Sequence, residues 1–439
     1  MIARSQPYIN VSAKRTTQLI SNKNSNYNLK INLRTLPGYI GHRTSRINRS
    51  INQDAYSIHL LKNKQLQRTP ILNLSVFDGH GNPDSKVSNL LADNLHNYII
   101  SNDFSKEKLF DLLLRYVQIF GGTYWNNLYQ NKYKFYDKFI ENCNTKIEQI
   151  IENKNSILFN RSDKNSLLTE RQRLNFFYSF LKFDLDYCCG YINESKETPP
   201  DINEMIKKYP GGSTASSIFL STFKESDMIE ESFFIDSNEI FKLVVTQVGD
   251  SRILLCDSDG IAHNLVKLHH PNEFREFKRL MLAENDISTS SDAFGERRFL
   301  DNFTNTRSFG DLVGKKDGLT AEPDIFSYLI GNTIELSYNE TSKLPFGGNE
   351  CFIVLVTDGV SDILTDQEIV DLIASIVNVN GEKKANPQFV ANEVINFISS
   401  VSNKYSDNAT CLILKLTNWG KWPIIDRSGI MSEQSLLKA

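Results

Sequence analysis

The chain has 439 residues, of which 40% are hydrophobic and 23% are charged, close to ordinary globular usage. This length suits one large domain or two to three average ones, and the composition argues against a wholly disordered chain. The 49 basic and 52 acidic residues leave a net charge of −3, which excludes the overall basic field typical of nucleic-acid binding. Apolar runs such as 351–356 are far shorter than the roughly 20 residues of a membrane-spanning helix.

The six cysteines are scattered and form no C-x-x-C pair. This spacing favours reduced structural thiols over a disulfide framework or a zinc site.

The first 53 residues contain no acidic residue, although acidic residues are common in the rest of the chain. Basic residues stand there among Ser, Thr and Asn: Arg4, Lys14, Arg15, Lys23, Lys30 and Arg34. This composition is typical of a mitochondrial transit peptide, and the alternative is a disordered basic tail. We therefore predict a leader over residues 1–34 and a mitochondrial protein, with matrix and intermembrane space both open.

Beyond the leader, the chain alternates between strand and helix patterns. The apolar run 71–77 predicts a buried strand that ends at Asp78-Gly79, and 84–100 has helical spacing with Asp84 or Ser85 as cap. The long stretch 103–209 predicts a helical excursion. Its basic and aromatic part at 129–138 favours an amphipathic helix over a nucleic-acid surface.

The second half adds more strands. Segments 241–248 and 252–256 predict a hairpin closed by Gly249-Asp250-Ser251, and 351–357 predicts a buried strand ending at Asp358. Thr365 and Glu368 match a capping box that opens a helix, and 409–416 predicts the last strand. Strands in hairpins and runs favour an α+β fold with antiparallel sheets covered by helices.

Acidic residues recur where apolar strands begin or end, at Asp54, Asp78, Asp358 and Asp407. Carboxylates on several strand ends can converge at one rim of a sheet. Hard cations such as Mg²⁺ and Mn²⁺ prefer oxygen ligands, so this pattern favours that metal class over zinc.

Seven segments together resemble, in order, the motifs of the protein phosphatase 2C family of metal-dependent protein serine/threonine phosphatases. They are RSINQD (49–54), VFDGHG (76–81), GGSTA (211–215), VGDSR (248–252), RSFGD (307–311), VTDGVSD (356–362) and SDNAT (406–410). The match spans residues 43–416 in scattered blocks. With the leader included, the chain resembles most the fungal mitochondrial branch of this family.

The resemblance implies a central antiparallel β-sandwich flanked by helices, with two Mg²⁺ or Mn²⁺ ions at one rim. Asp78 matches the aspartate that bridges the ions, and Gly79 would lend its carbonyl oxygen. Asp358 and Asp407 match carboxylates of the other ion, and Asp54 matches one reached largely through water.

The resemblance also assigns the groups that act on the substrate. Arg49 matches the arginine that binds the phosphate, and His80 matches the general acid. The implied reaction is hydrolysis of phosphoserine and phosphothreonine in proteins by a hydroxide held between two metal ions.

Departures from the family pattern narrow these expectations. Tyr209 and Pro210 stand where many members carry a carboxylate for a third ion, which argues against that ion, and Gln53 replaces a frequent glutamate.

The expected division is a leader (1–34), a catalytic domain (35–418) and a C-terminal tail (419–439). The catalytic domain would contain a helical insertion at about 103–209 and a flap at about 272–305.

One class of partners follows from this interpretation. Substrates would be phosphorylated proteins, among them mitochondrial metabolic enzymes such as the pyruvate dehydrogenase complex, with no nucleic acid. Basic residues of the flap either meet the phosphoprotein or are solvated charges: Arg275, Lys278, Arg279, Arg297 and Arg298. The alternative functions are a catalytically silent phosphoprotein-binding scaffold of the same fold and a two-metal enzyme for small phosphoesters or nucleic acid.

Overall fold

The structure is a computed structural model. It describes residues 8–10, 30–32, 36–63, 67–81, 86–101, 104–137, 167–190, 201–223, 233–235, 240–281, 289–291, 297–334, 336, 341 and 344–424. Most of the predicted leader lies outside the described residues, as do the predicted caps Asp84 and Ser85. Parts of the predicted insertion (138–166, 191–200), of the flap (282–288, 292–296) and of the tail (425–439) also lie outside them.

The strands follow one another in this chain order: β1 Tyr8–Asn10, β2 Lys30–Asn32, β3 Ile40–Ser45, β4 Ala55–Asn63, β5 Gln67–Phe77, β6 Gly79–His80, β7 Gly212–Ser213, β8 Ala215–Thr222, β9 Ile240–Val248, β10 Arg252–Cys256, β11 Ala262–Asn264, β12 Thr289–Ser291, β13 Arg297–Phe299, β14 Phe309–Gly310, β15 Asp324–Gly331, β16 Phe352–Val356 and β17 Ala409–Lys415.

The helices include α1 Leu36–Tyr39, α2 Val87–Ser101, α3 Lys106–Phe120, α4 Gly122–Gln130, α5 Glu170–Phe183, α6 Ile202–Lys208, α7 Phe274–Met281, α8 Leu312–Lys315, α9 Asp358–Ser361, α10 Asp366–Asn380 and α11 Pro387–Val401. Helix α5 continues directly into a π-helical turn, Asp184–Cys188. No helix among the described residues is long and apolar enough to cross a membrane.

Two five-stranded antiparallel sheets form the centre of the fold. The first sheet has the order β15-β9-β8-β5-β4 and the second has the order β11-β10-β16-β17-β3. Alternate residues point inward because the side-chain period of a strand is two. Leu74 and Val245 of the first sheet and Leu355 and Leu412 of the second are thereby buried in one shared core. The predicted α+β fold with an antiparallel β-sandwich flanked by helices is confirmed.

Helices cover both outer faces of the sandwich. Helices α2 and α5 pack on the first sheet, and α10 and α11 pack on the second. Strand β16 is buried along its whole length because one face meets the other sheet while the opposite face meets α10 and α11. The predicted capping box is confirmed, since Thr365 accepts a hydrogen bond from the backbone of Glu368 and the Glu368 side chain accepts one in return.

The prediction of a hairpin over 241–256 is wrong, although both of its strands exist. Strand β9 pairs with β8 and β15, whereas β10 pairs with β11 and β16 in the opposite sheet. Both edges of each strand are thus occupied by other partners. The turn Gly249–Ser251 crosses between the sheets, and the positive φ of 102° at Gly249 is one that L side chains rarely adopt.

The packed part of the chain continues past the predicted domain end at residue 418. Trp419 and Trp422 are 1% and 5% exposed and pack on Phe352. The division of the chain into leader, catalytic domain and tail stays a prediction.

Candidate active site

Five carboxylates lie where strands of the two sheets begin or end. Asp78 follows β5 and Asp250 follows β9 in the first sheet, whereas Asp358 follows β16 in the second. Asp54 and Asp407 precede β4 and β17, which run antiparallel to β5 and β16 and therefore begin at the same rim. The turns of both sheets thus meet at one end of the sandwich.

Asp78, Asp250 and Asp358 have carboxylate oxygens that all lie within 4.8 Å of one another. Burial, together with repulsion from neighbouring carboxylates, raises the pKa of Asp78 and of Asp358 well above the ordinary value. One oxygen of Asp250 and one of Asp358 are buried with no hydrogen-bond partner among the described residues. A hard divalent cation would satisfy these oxygens and offset their repulsion, so the donor set fits Mg²⁺ or Mn²⁺.

Asp54 is held against this group by the second sheet. Its Oδ2 accepts hydrogen bonds from Thr357 Oγ1 at 2.8 Å and Thr410 Oγ1 at 2.7 Å, whereas Oδ1 is buried with no partner in the described part of the chain. Burial is the largest cause that raises the pKa of Asp54, to about 7. Thr357, which directly follows β16, therefore fixes the orientation of Asp54.

Asp407 and Arg49 form an ion pair at the edge of the site. Arg49 Nη2 donates to Asp407 Oδ2 at 2.8 Å, and the two side chains are 50% and 44% exposed. The backbone N–H of Asn408 donates to the other oxygen of Asp407, while the Asn408 side chain accepts from Gln53 N and donates to Ile51 O. Asn408 thereby ties the segment that carries Arg49 to the segment that carries Asp407.

His80 lies beside Asp311, the last residue of the RSFGD segment (307–311). His80 Nε2 is 2.6 Å from Asp311 Oδ2, and the imidazole is 38% exposed. Burial alone would lower the pKa of His80, but the Asp311 carboxylate and the more distant Asp250 and Asp358 outweigh it and raise that pKa to about 9. Burial would likewise raise the pKa of Asp311, yet His80 and the Ser308 hydroxyl hold it below its ordinary value.

The backbone around Asp78 leaves no room for side chains. A Cβ on Gly79 would lie 2.4 Å from Gln53 O and 2.8 Å from Ser88 Oγ. Thr214 of the GGSTA motif holds Asp78 from the other side, since its N–H donates to Asp78 O and its hydroxyl accepts from Asp78 N. This motif thus supports the site through hydrogen bonds.

Sequence reasoning missed Asp250 and the contact of Asp311 with His80. Asp250 ends a strand after a glycine, as Asp78 ends another, so the rule that found the other carboxylates applied to it as well. The predicted hairpin places it in a tight turn instead. His80 and Asp311 are 231 residues apart, and no local pattern in a single sequence indicates such a contact.

The basic residues of the flap divide between two roles. Arg279 is 14% exposed and donates to Glu276, and Arg275 pairs with Asp324. Both are therefore bound within the chain. Lys278 and Arg297 are exposed.

Comparisons with known proteins find one matching family and several similar chains. The family model described as protein phosphatase 2C matches residues 115–406. The chain is 29% identical to protein phosphatase 2C homolog 4 of Schizosaccharomyces pombe over 93% of this chain and 88% of that protein. It is also 29% identical to the mitochondrial protein phosphatase 1K of Xenopus laevis, over 41% of each chain. A solved phosphatase structure from a pathogenic strain of Toxoplasma gondii matches with a TM-score of 0.49 and 15% identity over 86% of this chain and 93% of that one.

Proposed function

Because the chain belongs to the protein phosphatase 2C family and is a metal-dependent protein serine/threonine phosphatase, we propose that it uses two Mg²⁺ or Mn²⁺ ions, in mitochondria, to hydrolyse phosphoserine and phosphothreonine. The observation that carries the two-metal proposal is the group of Asp78, Asp250 and Asp358 at the rim of the sandwich.

The chain offers ligands for two ions within this rim. Asp78, the Gly79 carbonyl, Asp358 and Asp407 would hold the ions, and Asp54 would act through water. Two such ions, when bound, supply an acidified water as nucleophile and neutralise charge on the phosphoryl oxygens. Asp250 adds a further carboxylate oxygen, whereas Tyr209 and Pro210 offer none for a third ion.

Arg49 is the phosphate-binding group in this proposal. Its guanidinium is half-exposed and uses Nη2 for Asp407, which leaves further N–H donors of its planar fork for phosphoryl oxygens. Asp407 thus sets the direction in which the guanidinium points.

His80 is the general acid. With Nε2 bound to Asp311, Nδ1 is the ring nitrogen that remains to give a proton to the departing serine or threonine oxygen. The partial exposure of the imidazole allows a substrate oxygen to approach it.

The test of the metal site uses the full chain with a phosphothreonine peptide. We expect phosphate release to require Mn²⁺ or Mg²⁺ and to stop in chelator, and Asp78→Asn to abolish both turnover and the heat of Mn²⁺ binding in calorimetry. Asp93→Asn, at an exposed position of α2, is the matched control and keeps both. A folded Asp78→Asn variant with turnover equal to that of Asp93→Asn would contradict the assignment.

The mitochondrial proposal rests on the acid-free basic segment before Asp54 and on the name of the Xenopus laevis relative. Substrates would be phosphoproteins of that compartment, including metabolic enzymes such as the pyruvate dehydrogenase complex. We expect a tagged full chain to enter mitochondria, and Arg4→Glu, Lys14→Glu and Arg15→Glu together to prevent this. Unchanged phosphorylation of that complex in cells that lack the protein would exclude it as a substrate.

A further inference from the structure

A fully buried ion pair joins the predicted helical insertion to the loop that carries Asp311. Lys315 Nζ lies 2.8 Å from Asp184 Oδ2, and both side chains are 0% exposed. Asp184 begins the π-helical turn after α5, and Lys315 ends α8. Each of these charges would be costly to bury alone, so the pair fixes the two segments against each other.

Two further contacts of the pair end on the same loop. Asp184 Oδ1 accepts from Gly310 N at 2.8 Å, and Lys315 Nζ donates to Ser308 O at 3.0 Å. Ser308 Oγ in turn donates to Asp311 Oδ2 at 2.5 Å. Gly310 and Asp311 have positive φ values of 72° and 47°, conformations that require surrounding contacts, at Asp311 above all.

Two helices of the insertion contact the ion pair from the other side. Tyr116 of α3 donates its hydroxyl to Asp184 Oδ2 at 2.8 Å, and Trp125 of α4 donates Nε1 to Lys315 O at 2.8 Å. The two rings stack with centroids 4.1 Å apart, and both are 0% exposed. Two helices of the insertion thus bind the two members of the ion pair.

We propose that Asp184 is a positioning residue for His80. Asp184 contacts Gly310 and Lys315, which both belong to the loop 308–315. Asp311 of the same loop lies 2.6 Å from the imidazole of His80. The insertion therefore serves to hold the general acid in place. This inference rests on the proposed role of His80.

The test compares two substrates in a variant without the ion pair. Asp184→Asn with Lys315→Met removes both charges, which avoids leaving one buried and unpaired. A phosphothreonine peptide needs a proton on its leaving oxygen, whereas p-nitrophenyl phosphate releases a stable anion. We expect kcat to fall about tenfold for the peptide and less than about twofold for p-nitrophenyl phosphate, a fraction of the roughly 10² to 10⁴ that general acid catalysis contributes.

The matched control removes a similar pair from the same turn. Asp186 Oδ2 accepts from Lys182 Nζ at 2.7 Å and from the Tyr98 hydroxyl at 2.9 Å. Asp186→Asn with Lys182→Met should leave the ratio of the two activities unchanged, because these contacts lead away from the loop 308–315.

His80→Ala separates the two proposals. Equal losses for both substrates in His80→Ala would contradict its role as general acid. A selective loss in His80→Ala, with a wild-type ratio in a folded Asp184→Asn/Lys315→Met variant, would overturn the positioning role of Asp184 alone. If that variant does not fold, Tyr116→Phe removes a single hydroxyl from Asp184, and an unchanged ratio there would overturn the inference as well.

Discussion

His96 should make the stability of this protein fall steeply in mild acid. Its side chain is 3% exposed, and neither ring nitrogen has a hydrogen-bond partner among the described residues. Burial first, and the neighbouring His59 second, lower its pKa from 6.5 to about 2. The two rings stack with centroids 3.6 Å apart, and the small cavity beside them is lined by neutral polar groups such as Ser57 and Asn73.

The direction in which stability changes with pH follows from the lowered pKa of His96. The folded state keeps His96 neutral, whereas the unfolded chain takes up a proton below its ordinary pKa of 6.5. His96 therefore costs no stability well above pH 6.5, and the cost grows as pH falls from 6.5 towards 2. The slope is about half of 1.4 kcal/mol per pH unit at pH 6.5 and approaches that full value at lower pH, so His96 alone removes about 2.3 kcal/mol between pH 6.5 and 4.5.

Urea unfolding of the wild-type chain and of His96→Phe, in chelator and at half-unit steps of pH, measures this contribution. Phenylalanine keeps a ring on His59 and cannot titrate. The difference in unfolding free energy between the two proteins should change by about 2.3 kcal/mol over that range. A difference that stays constant with pH would refute the reasoning, whatever the separate curves do.

Two further substitutions test the packing around the site. Gly79→Ala should lower both the melting temperature and the affinity for Mn²⁺, since its Cβ would lie 2.4 Å from Gln53 O; Gly38→Ala, whose Cβ would meet nothing within 4 Å, should lower neither. Glu276→Gln should cost about 3–5 kcal/mol in urea unfolding because it leaves Arg307 in a buried site without its nearest anion. An equally small effect of Glu276→Gln and of Asp111→Asn, whose carboxylate is 61% exposed, would show that the flap charges contribute little.

Much of the fold was readable from the sequence because its signals are local. Alternating apolar residues, strand-ending Asp-Gly pairs and the Thr365 capping box each act within a few residues. The crossing at 249–251 was not readable, because a glycine turn between two strands has the same local pattern whether the strands pair or separate. The outcome depends on which strands pair with β9 and β10, and here β9 pairs with β8 whereas β10 pairs with β16.

The candidate site likewise has a part that the sequence predicts and a part that it does not. Its carboxylates at strand ends follow from a local rule, which would have included Asp250 had the turn not been assigned to a hairpin. The contacts of Asp311 with His80, and of Lys315 with Asp184, join segments that are far apart in the chain. The partners of these buried charged residues can be identified only from the folded structure.

The crossing at 249–251 also gives the site a mechanical property. Asp78 and Asp250 leave strands of the first sheet, whereas Asp358 leaves a strand of the second. A cation held by all three would cross-link the two sheets. Any sliding of one sheet over the other would change the distances among its carboxylate ligands. Affinity for the ion and rigidity of the sandwich should therefore rise and fall together.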